Sequence, residues 1–158
     1  GFFNDPDSPQ TSSPHEMQRY LSKISGPLLD RIDIHIEVTP VPFEKLSDDQ
    51  KAESSVDIRK RVTAAREIQT ERFEQMEHIH YNAQMNTKHI REYCALDDVS
   101  KQLLKTAMER LNLSARAYDR ILKVARTIAD LDAAPIVVSS HIAEAIQYRS
   151  LDRDGWLG

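Results

Sequence analysis

The stretch LNLSARAYDRILKVARTIADL, residues 111–131, decides the fold class of this 158-residue chain. Ser114 can cap the N-terminus of a helix, because its hydroxyl can accept a hydrogen bond from a backbone amide of the first turn. The apolar residues that follow recur every three or four positions, the period of an amphipathic helix. They are Tyr118, Ile121, Leu122, Ala125, Ile128 and Ala129. The pattern predicts a long helix with one face in a hydrophobic core.

Similar signals predict helices throughout residues 54–158. Ser54 and Asp57 form a capping pair that opens a long charged helix to about Met76. Four of its residues are expected to face the core: Ile58, Val62, Ala65 and Phe73. Three further N-caps are predicted, at Thr87, Asp97 and Ser140. Short connections rich in Asn, Asp and Pro between such helices are typical of a compact antiparallel bundle.

The N-terminal part follows a different pattern. A helix is predicted to start at Ser13 and to stop at Gly26 and Pro27. Apolar and polar residues then alternate over 32–38, which predicts a half-buried strand. A strand needs neighbours for its backbone hydrogen bonds, and residues 136–138 are the one weak second candidate. Because the chain opens on Gly1 rather than Met, we expect the partner strands in upstream sequence.

Composition limits the class of protein. Hydrophobic residues make up 40% of the chain and charged residues 29%, an ordinary balance for a protein with a core. No apolar run approaches the roughly 20 residues of a membrane span. The single Cys94 excludes an intramolecular disulfide and fits a reducing compartment, so we expect a cytoplasmic protein. The net charge of −4 argues against a dedicated nucleic-acid-binding module.

Charge also varies along the chain. Residues 1–53 carry ten acidic and five basic side chains, whereas residues 54–158 carry fifteen and sixteen. This shift predicts a domain boundary near residue 50.

The four glycines do not form a phosphate-binding loop. Such a loop needs glycine because only that residue lets backbone amides close around an anion. Gly1, Gly26, Gly155 and Gly158 do not fall in the pattern G-x-x-x-x-G-K-[ST], and no apolar strand ends in Asp-Glu to hold magnesium. We therefore do not expect this chain to hydrolyse ATP alone.

Two arginines are candidate site residues. Arg31 lies between a predicted helix stop and a predicted strand, where a guanidinium can project toward phosphate. It could equally pair with Asp30 or Asp33, the commoner outcome for so short a signal. Arg116 lies in the first turn of the helix after Ser114, where the helix dipole disfavours a cation unless an anion is bound nearby. Asp119 could also offset its charge.

Histidine and cysteine offer little further chemistry. The six histidines are scattered, and none has a Cys or carboxylate at zinc-binding spacing, so no metal site is predicted. Cys94 lies on an apolar helix face and is predicted to belong to the core. Arg120 and Lys123 are predicted to be solvated surface.

Two long stretches carry a resemblance to a known family. QRYLSKISGPLLDRIDIHIEV, residues 18–38, resembles the end of the nucleotide-binding core of magnesium-chelatase-like AAA+ ATPases of the YifB/ComM type. Residues 111–131 and HIAEAIQYRSLDR, residues 141–153, resemble the helical lid of the same proteins. The resemblance implies a mainly α chain: a helical-bundle lid domain over 48–158, preceded over 1–47 by a helix and one strand from the edge of the α/β core.

The resemblance also implies roles for both arginines. Arg31, in LLDRID, matches the arginine finger that reaches the nucleotide of an adjacent subunit, and is the expected catalytic residue. Arg116, in LSARAYDR, matches the sensor-2 arginine, which couples the state of the γ-phosphate to lid movement, and is the expected cofactor-binding residue.

Cofactors and partners follow from the same resemblance. ATP and Mg²⁺ are implied for the full-length protein, with neither expected to bind tightly to this chain. The implied partners are the upstream AAA+ core and other copies in a homo-hexameric ring, with no membrane. DNA is a further implied partner, since family members linked to natural transformation act as DNA helicases or branch-migration motors. The family often carries paired cysteines around the region aligned to 1–13, which contains none here.

An alternative from another class is a stand-alone helical module that binds protein or DNA without nucleotide. The basic residues of the helix after Ser54 favour it: Arg59, Lys60, Arg61 and Arg66. Such a run of charge is usually a solvated helix face. A phosphate-loop motif upstream of Gly1 would favour the motor, and a start codon there would favour the module.

Overall fold

The computed structural model describes residues 15, 19, 23, 25–36, 38 and 52–149. The predicted mainly helical fold is confirmed, because every regular element within these residues is a helix. In chain order the elements are α1 (Gly26–Leu29), α2 (Ser55–Arg72), a 3-10 turn (Asn82–Gln84), α3 (Thr87–Tyr93), α4 (Asp98–Arg110), α5 (Ala115–Leu131) and α6 (Ser139–Gln147). The division predicted between residues 47 and 48 lies outside the described residues and stays a prediction.

Helix α5 is the centre of the bundle. It packs against α2, α3, α6 and the 3-10 turn, while α4 packs on α6. Its inward face confirms the predicted stripe except for Tyr118, which is 41% exposed. Ala117, Ala125 and Ala129 are fully buried, and such small side chains let neighbouring helices approach closely. The close packing fixes α5 along its length, from its first turn at Ala115 to its last turn at Leu131.

Three predicted N-caps are confirmed. The side chains of Ser54, Asp97 and Ser114 each accept a hydrogen bond from the backbone amide three residues ahead. Cys94 is buried in the core, as predicted. Local capping chemistry thus fixes the start of the three longest helices.

Two predicted N-caps are wrong. Thr87 is the first residue of α3, and Asn86 caps that helix by accepting from the amides of Lys88 and His89. Ser140 lies inside α6, which begins at Ser139. The residues directly before the two helices, Asn86 and Val138, have the extended backbone that a cap position requires.

Helix α2 buries less than its sequence pattern predicts. Ala65 and Phe73 are buried as expected, but Ile58 and Val62 are 42% and 48% exposed, which corrects the prediction for them. The buried residues of α2 lie in its C-terminal half. The helix ends at Arg72, before the predicted Met76, because Phe73 already departs from helical geometry.

The predicted strand over 32–38 is wrong for the residues that the structure describes there, 32–36 and 38. Its apolar side chains are exposed: Ile32, Ile34, Ile36 and Val38. His35, on the polar side of the alternation, is buried, and its amide donates to the carbonyl of Tyr148 at 2.8 Å. Without a ladder partner, the backbone bonds to the end of a helix instead. Residues 136–138, the second candidate, also form no strand.

The predicted helix from Ser13 lies largely outside the described residues, although His15 and Arg19 are helical. Gly26 and Pro27, predicted as its stop, fall in the one-turn helix α1. Proline suits the first turn of a helix because it has no amide hydrogen that would need a partner.

Candidate functional site

The two arginines singled out from the sequence lie at one cluster, at the N-terminal end of α5. We call this the α5 N-terminal cluster and define it by Asp30, Arg31, Ser114 and Arg116. Nη1 of Arg116 donates to Oδ2 of Asp30 at 3.0 Å, and the Arg116 side chain is 54% exposed. Asp30, rather than the predicted Asp119, therefore offsets the cation in the first turn.

Asp30 receives contacts from three residues far along the chain. The Ser114 hydroxyl donates to Oδ1 of Asp30 at 2.7 Å and also accepts from the Ala117 amide, so the cap of α5 is tied to the carboxylate. Nη2 of Arg149 lies 3.9 Å from Oδ1 of Asp30. Burial favours a raised pKa of Asp30, but the Ser114 and Arg116 hydrogen bonds and the charges of Arg116 and Arg149 lower it overall. The carboxyl is thus ionised at neutral pH.

Arg31 projects from the end of α1 toward solvent. Its Nη1 donates to the Pro27 carbonyl at 2.9 Å, and the side chain is exposed. The alternative partners considered from the sequence are both engaged elsewhere, Asp30 by Arg116 and Asp33 by Arg120. Among the described residues, no carboxylate forms an ion pair with Arg31. Its charge is therefore presented to the surface.

Further contacts hold residues 25–36 against the bundle. Arg120 of α5 pairs with Asp33, and Nη1 of the buried Arg149 donates to the carbonyl of Ile32. The ring of His35 lies 3.2 Å from the Leu29 carbonyl oxygen. Arg120 is therefore not the freely solvated residue that the sequence predicted. The segment that carries Arg31 is fixed to α5 and to the residues after α6.

Lys123 is likewise engaged. Its ammonium group donates to the Ala83 carbonyl at 2.9 Å, which corrects the prediction of a solvated side chain. The contact ties the 3-10 turn to α5.

The α5 N-terminal cluster combines groups that suit a phosphate. A helix N-terminus favours anions, a serine hydroxyl can donate to phosphate, and guanidinium groups bind phosphate oxygens in a planar fork. The cluster supplies the N-terminus of α5, the hydroxyl of Ser114 and the guanidinium groups of Arg116 and Arg31. The glycine-rich cradle that would hold the remaining phosphates does not occur in the sequence.

A second polar cluster lies buried at the other end of α5, and sequence reasoning missed it. We define this buried cluster by Arg72, Asn82, Arg126 and Asp130. The carboxylate of Asp130 accepts from Nη1 of Arg72 at 2.8 Å, Nδ2 of Asn82 at 2.8 Å and Nε of Arg126 at 3.1 Å. Arg126 and Asp130 stand four residues apart on the apolar face, which is the sequence signal that could have revealed them.

The basic residues of α2 are largely paired with near neighbours. Lys60 contacts Asp57, and Arg61 donates to both carboxylate oxygens of Glu53. The guanidinium of Arg66 lies 5.0 Å from the centre of the Tyr81 ring. Local pairing therefore accounts for most of this charged face, which weakens the alternative of a dedicated DNA- or protein-binding helix.

The described ranges contain neither a candidate metal site nor a candidate membrane span. No group of three or more His, Cys, Asp and Glu side chains is placed to hold a metal ion there. Nor does any helix in the same ranges combine the length and apolar character that crossing a membrane requires.

Burial raises the pKa of the Cys94 thiol to about 11. The thiol is therefore neutral and poorly nucleophilic near neutral pH.

The sequence of this helical bundle matches the C-terminal model of a known protein family. The family model described as magnesium chelatase, subunit ChlI C-terminal, matches residues 52–149. A second model, magnesium chelatase, subunit ChlI, matches residues 1–46. The chain belongs to the magnesium chelatase ChlI family, which confirms the resemblance seen in its sequence.

Curated relatives extend this result. Competence protein ComM of Haemophilus influenzae is 43% identical over 143 residues, which cover 90% of this chain and 27% of ComM. The uncharacterized protein YifB of Escherichia coli is 40% identical over 142 residues, 89% of this chain and 27% of YifB. The uncharacterized protein Rv2897c of Mycobacterium tuberculosis is 33% identical over 132 residues, 84% of this chain and 26% of that protein. The chain spans about a quarter of the length of these relatives.

Proposed function

We propose that this chain is the helical lid and adjoining core edge of an AAA+ ATPase that works as a ring-shaped motor. Family membership supports this proposal, and one observation carries it. Arg116 stands in the first turn of α5 with a half-exposed guanidinium, bound to a carboxylate whose place a phosphate can take. The full-length protein would bind ATP and Mg²⁺, and the lid would report the state of the nucleotide.

In this proposal Arg116 acts as the sensor-2 residue. A cation in the first turn of a helix is disfavoured by up to about 1 kcal/mol unless an anion accompanies it. The γ-phosphate would provide that anion in the ATP state and would be missing after hydrolysis. Because a ligand shifts a conformational equilibrium only through contacts that differ between the states, this contact would favour the closed lid when ATP is bound.

Arg31 acts as the arginine finger. An exposed guanidinium on a segment fixed to the bundle can stabilise the charge that develops on a transferring phosphate, a contribution of about 10³–10⁵ in rate where it has been dissected. Residues 25–36 are held to the bundle in this way. Asp33 pairs with Arg120, the His35 amide donates to the Tyr148 carbonyl, and Arg149 donates to the Ile32 carbonyl. The finger would reach the nucleotide of an adjacent subunit in a homo-hexamer.

DNA is the proposed substrate of the motor. One relative carries the name competence protein ComM. The family resemblance of the sequence implies a DNA helicase or branch-migration motor, and we propose that role for the full-length protein. A cytoplasmic location likewise stays a prediction.

Steady-state ATP hydrolysis by the full-length protein tests the proposal. We expect Arg31→Ala and Arg116→Ala to lower the rate severely, by about 100-fold or more for Arg31→Ala, with unchanged thermal unfolding. Arg59→Ala is the matched control, because it also removes an exposed arginine, but one that lies on α2 and outside the α5 N-terminal cluster. We expect this variant to hydrolyse ATP at the wild-type rate. Wild-type hydrolysis in either of the first two variants would refute the role assigned to that residue.

A further inference from the structure

Asp30 occupies the place that an anion would take at the N-terminus of α5. Its carboxylate accepts from the capping hydroxyl of Ser114 at 2.7 Å and from the guanidinium of Arg116 at 3.0 Å. Helix N-termini favour negative charge, through the dipole and through amides that have no partner within the helix. A hydroxyl donor, a guanidinium and a helix N-terminus around one anionic group make up a phosphate-binding arrangement in which Asp30 stands for the phosphate.

We propose that Asp30 is a positioning residue that competes with the terminal phosphate of ATP for Arg116. Without nucleotide, Asp30 would hold Arg116 and the Ser114 cap in place. With ATP bound, the guanidinium of Arg116 would exchange its carboxylate partner for phosphate oxygens. This inference rests on the proposed function and deepens it, because it names the internal group that the nucleotide must displace.

The accessibility of the pair makes such an exchange feasible. The Arg116 side chain is 54% exposed and that of Asp30 is 22% exposed, so water and ligands reach the guanidinium. Ion pairs of this kind are weak, because solvent screens the attraction and both side chains lose freedom when they pair. By contrast, Arg126 and Asp130 in the buried cluster are 2% and 0% exposed, and no ligand can reach them.

The exchange would also act on the arginine finger. Arg31 directly follows Asp30, so a carboxylate that loses Arg116 while keeping Ser114 and Arg149 would loosen the turn after α1 from which Arg31 projects. Asp33 and Arg149 would still hold the rest of the segment, through Arg120 and the Ile32 carbonyl. The expected effect is therefore a local reorientation of Arg31 and not a release of residues 25–36. Binding of phosphate by Arg116 would in this way change the orientation of the Arg31 guanidinium.

A double-mutant cycle on the full-length protein tests the competition. The measurement is the dissociation constant of a non-hydrolysable ATP analogue for wild type, Asp30→Asn, Arg116→Ala and the double variant. Asp30→Asn removes the charge while keeping an oxygen that can accept from Ser114. We expect it to tighten binding about two- to fivefold, the range that corresponds to a half-exposed ion pair. In the Arg116→Ala background the same change is expected to have no effect.

Asp98→Asn is the matched control. It removes an aspartate charge from the first turn of α4 and breaks an exposed pair with Lys101, but leaves residues 25–36 and the Arg116–Asp30 pair intact. We expect it to leave analogue binding unchanged. A purely structural role of Asp30 would instead lower thermal stability and shift binding equally in both backgrounds.

The outcomes separate this inference from the proposed function. If Arg116→Ala alone leaves analogue binding unchanged, the role of Arg116 at the nucleotide is wrong. If Arg116→Ala weakens binding but Asp30→Asn has no effect, or the same effect in both backgrounds, the competition is overturned and the proposed function stands. Coupling between the two changes, with tighter binding in Asp30→Asn alone, supports the inference.

Discussion

The two ends of α5 use the same chemistry in opposite surroundings. At the C-terminal end, the buried cluster surrounds Asp130 with donors from Arg72, Asn82 and Arg126, and the carboxylate is shut off from water. At the N-terminal end, Asp30 and Arg116 form a comparable pair that solvent reaches. An arginine and an aspartate thus form a buried structural contact at one end and, in our proposal, an exchangeable contact at the other.

Solvent access accounts for the difference. Separating a buried ion pair leaves a charge without compensation in a medium of low polarity, so the pair stays closed. A half-exposed pair loses little on opening, because water replaces each partner. One end of α5 therefore suits the stability of the bundle, and the other suits a contact that changes during a reaction cycle.

The largest expected effect lies at the buried end. Asp130→Asn removes the charge that compensates Arg72 and Arg126, and we expect it to lower the free energy of unfolding by about 3 kcal/mol. Urea denaturation measures the change. Asp132→Asn, two residues away, serves as the control: its side chain is 63% exposed, and asparagine keeps an acceptor oxygen for Nε2 of His141, which lies 3.3 Å from Oδ2 of Asp132. We expect this variant to stay within about 0.5 kcal/mol of wild type. Equal losses in the two variants would show that the burial of Asp130 does not decide the effect.

Cys94 provides a second, chemical probe of the buried end. Its pKa of about 11 and its burial should slow alkylation by iodoacetamide at pH 8 by about 100-fold or more relative to the unfolded chain. The neutral thiol contributes stability below its unfolded pKa, and that contribution is lost as pH rises toward 11. Mass spectrometry follows the labelling. Rapid labelling of the folded protein at pH 8 would show that this part of the core is open.

The smallest effect on stability is expected at the exposed end. Asp30→Asn should lower the free energy of unfolding by less than about 1 kcal/mol at pH 7, since solvent screens the pair with Arg116. The pKa of Asp30 is lowered in the folded state, so its contribution is present above the ordinary value of 3.8 and is lost as pH falls through the folded value. Denaturation at pH 7 and at acid pH should show the difference between variant and wild type shrink as the pH falls. A difference that persisted in acid would come from a cause other than this charge.

Local sequence signals predicted the helices well. Ser54, Asp97 and Ser114 act as N-caps because capping involves only a side chain and an amide three residues away. The prediction failed where the signal needed a distant partner. The alternation at 32–38 indicates a strand only if a neighbouring strand completes the ladder, and the described part of the segment bonds to Tyr148 instead.

The candidate site was predicted in part. The Ser114 cap, the helix stop before Arg31 and the family resemblance together indicated Arg31 and Arg116 as site residues. Their roles stay predictions. The carboxylate between them was not predicted, because Asp30 lies 86 residues from Arg116 and nothing in the local pattern indicates that contact. Asp30 was considered only as a neighbour of Arg31. The buried cluster was missed although Arg126 and Asp130 interrupt an apolar face at helical spacing, a signal that local reasoning could have used.

The most direct test of the account is whether Arg116 distinguishes ATP from ADP. In the full-length protein, calorimetry would compare the affinities for a non-hydrolysable ATP analogue and for ADP, in wild type and in Arg116→Ala. If the guanidinium meets the terminal phosphate, the preference for the triphosphate over the diphosphate should fall by about tenfold in the variant, the value of one charge-assisted contact. An unchanged preference would show that the exposed end of α5 does not contact the γ-phosphate.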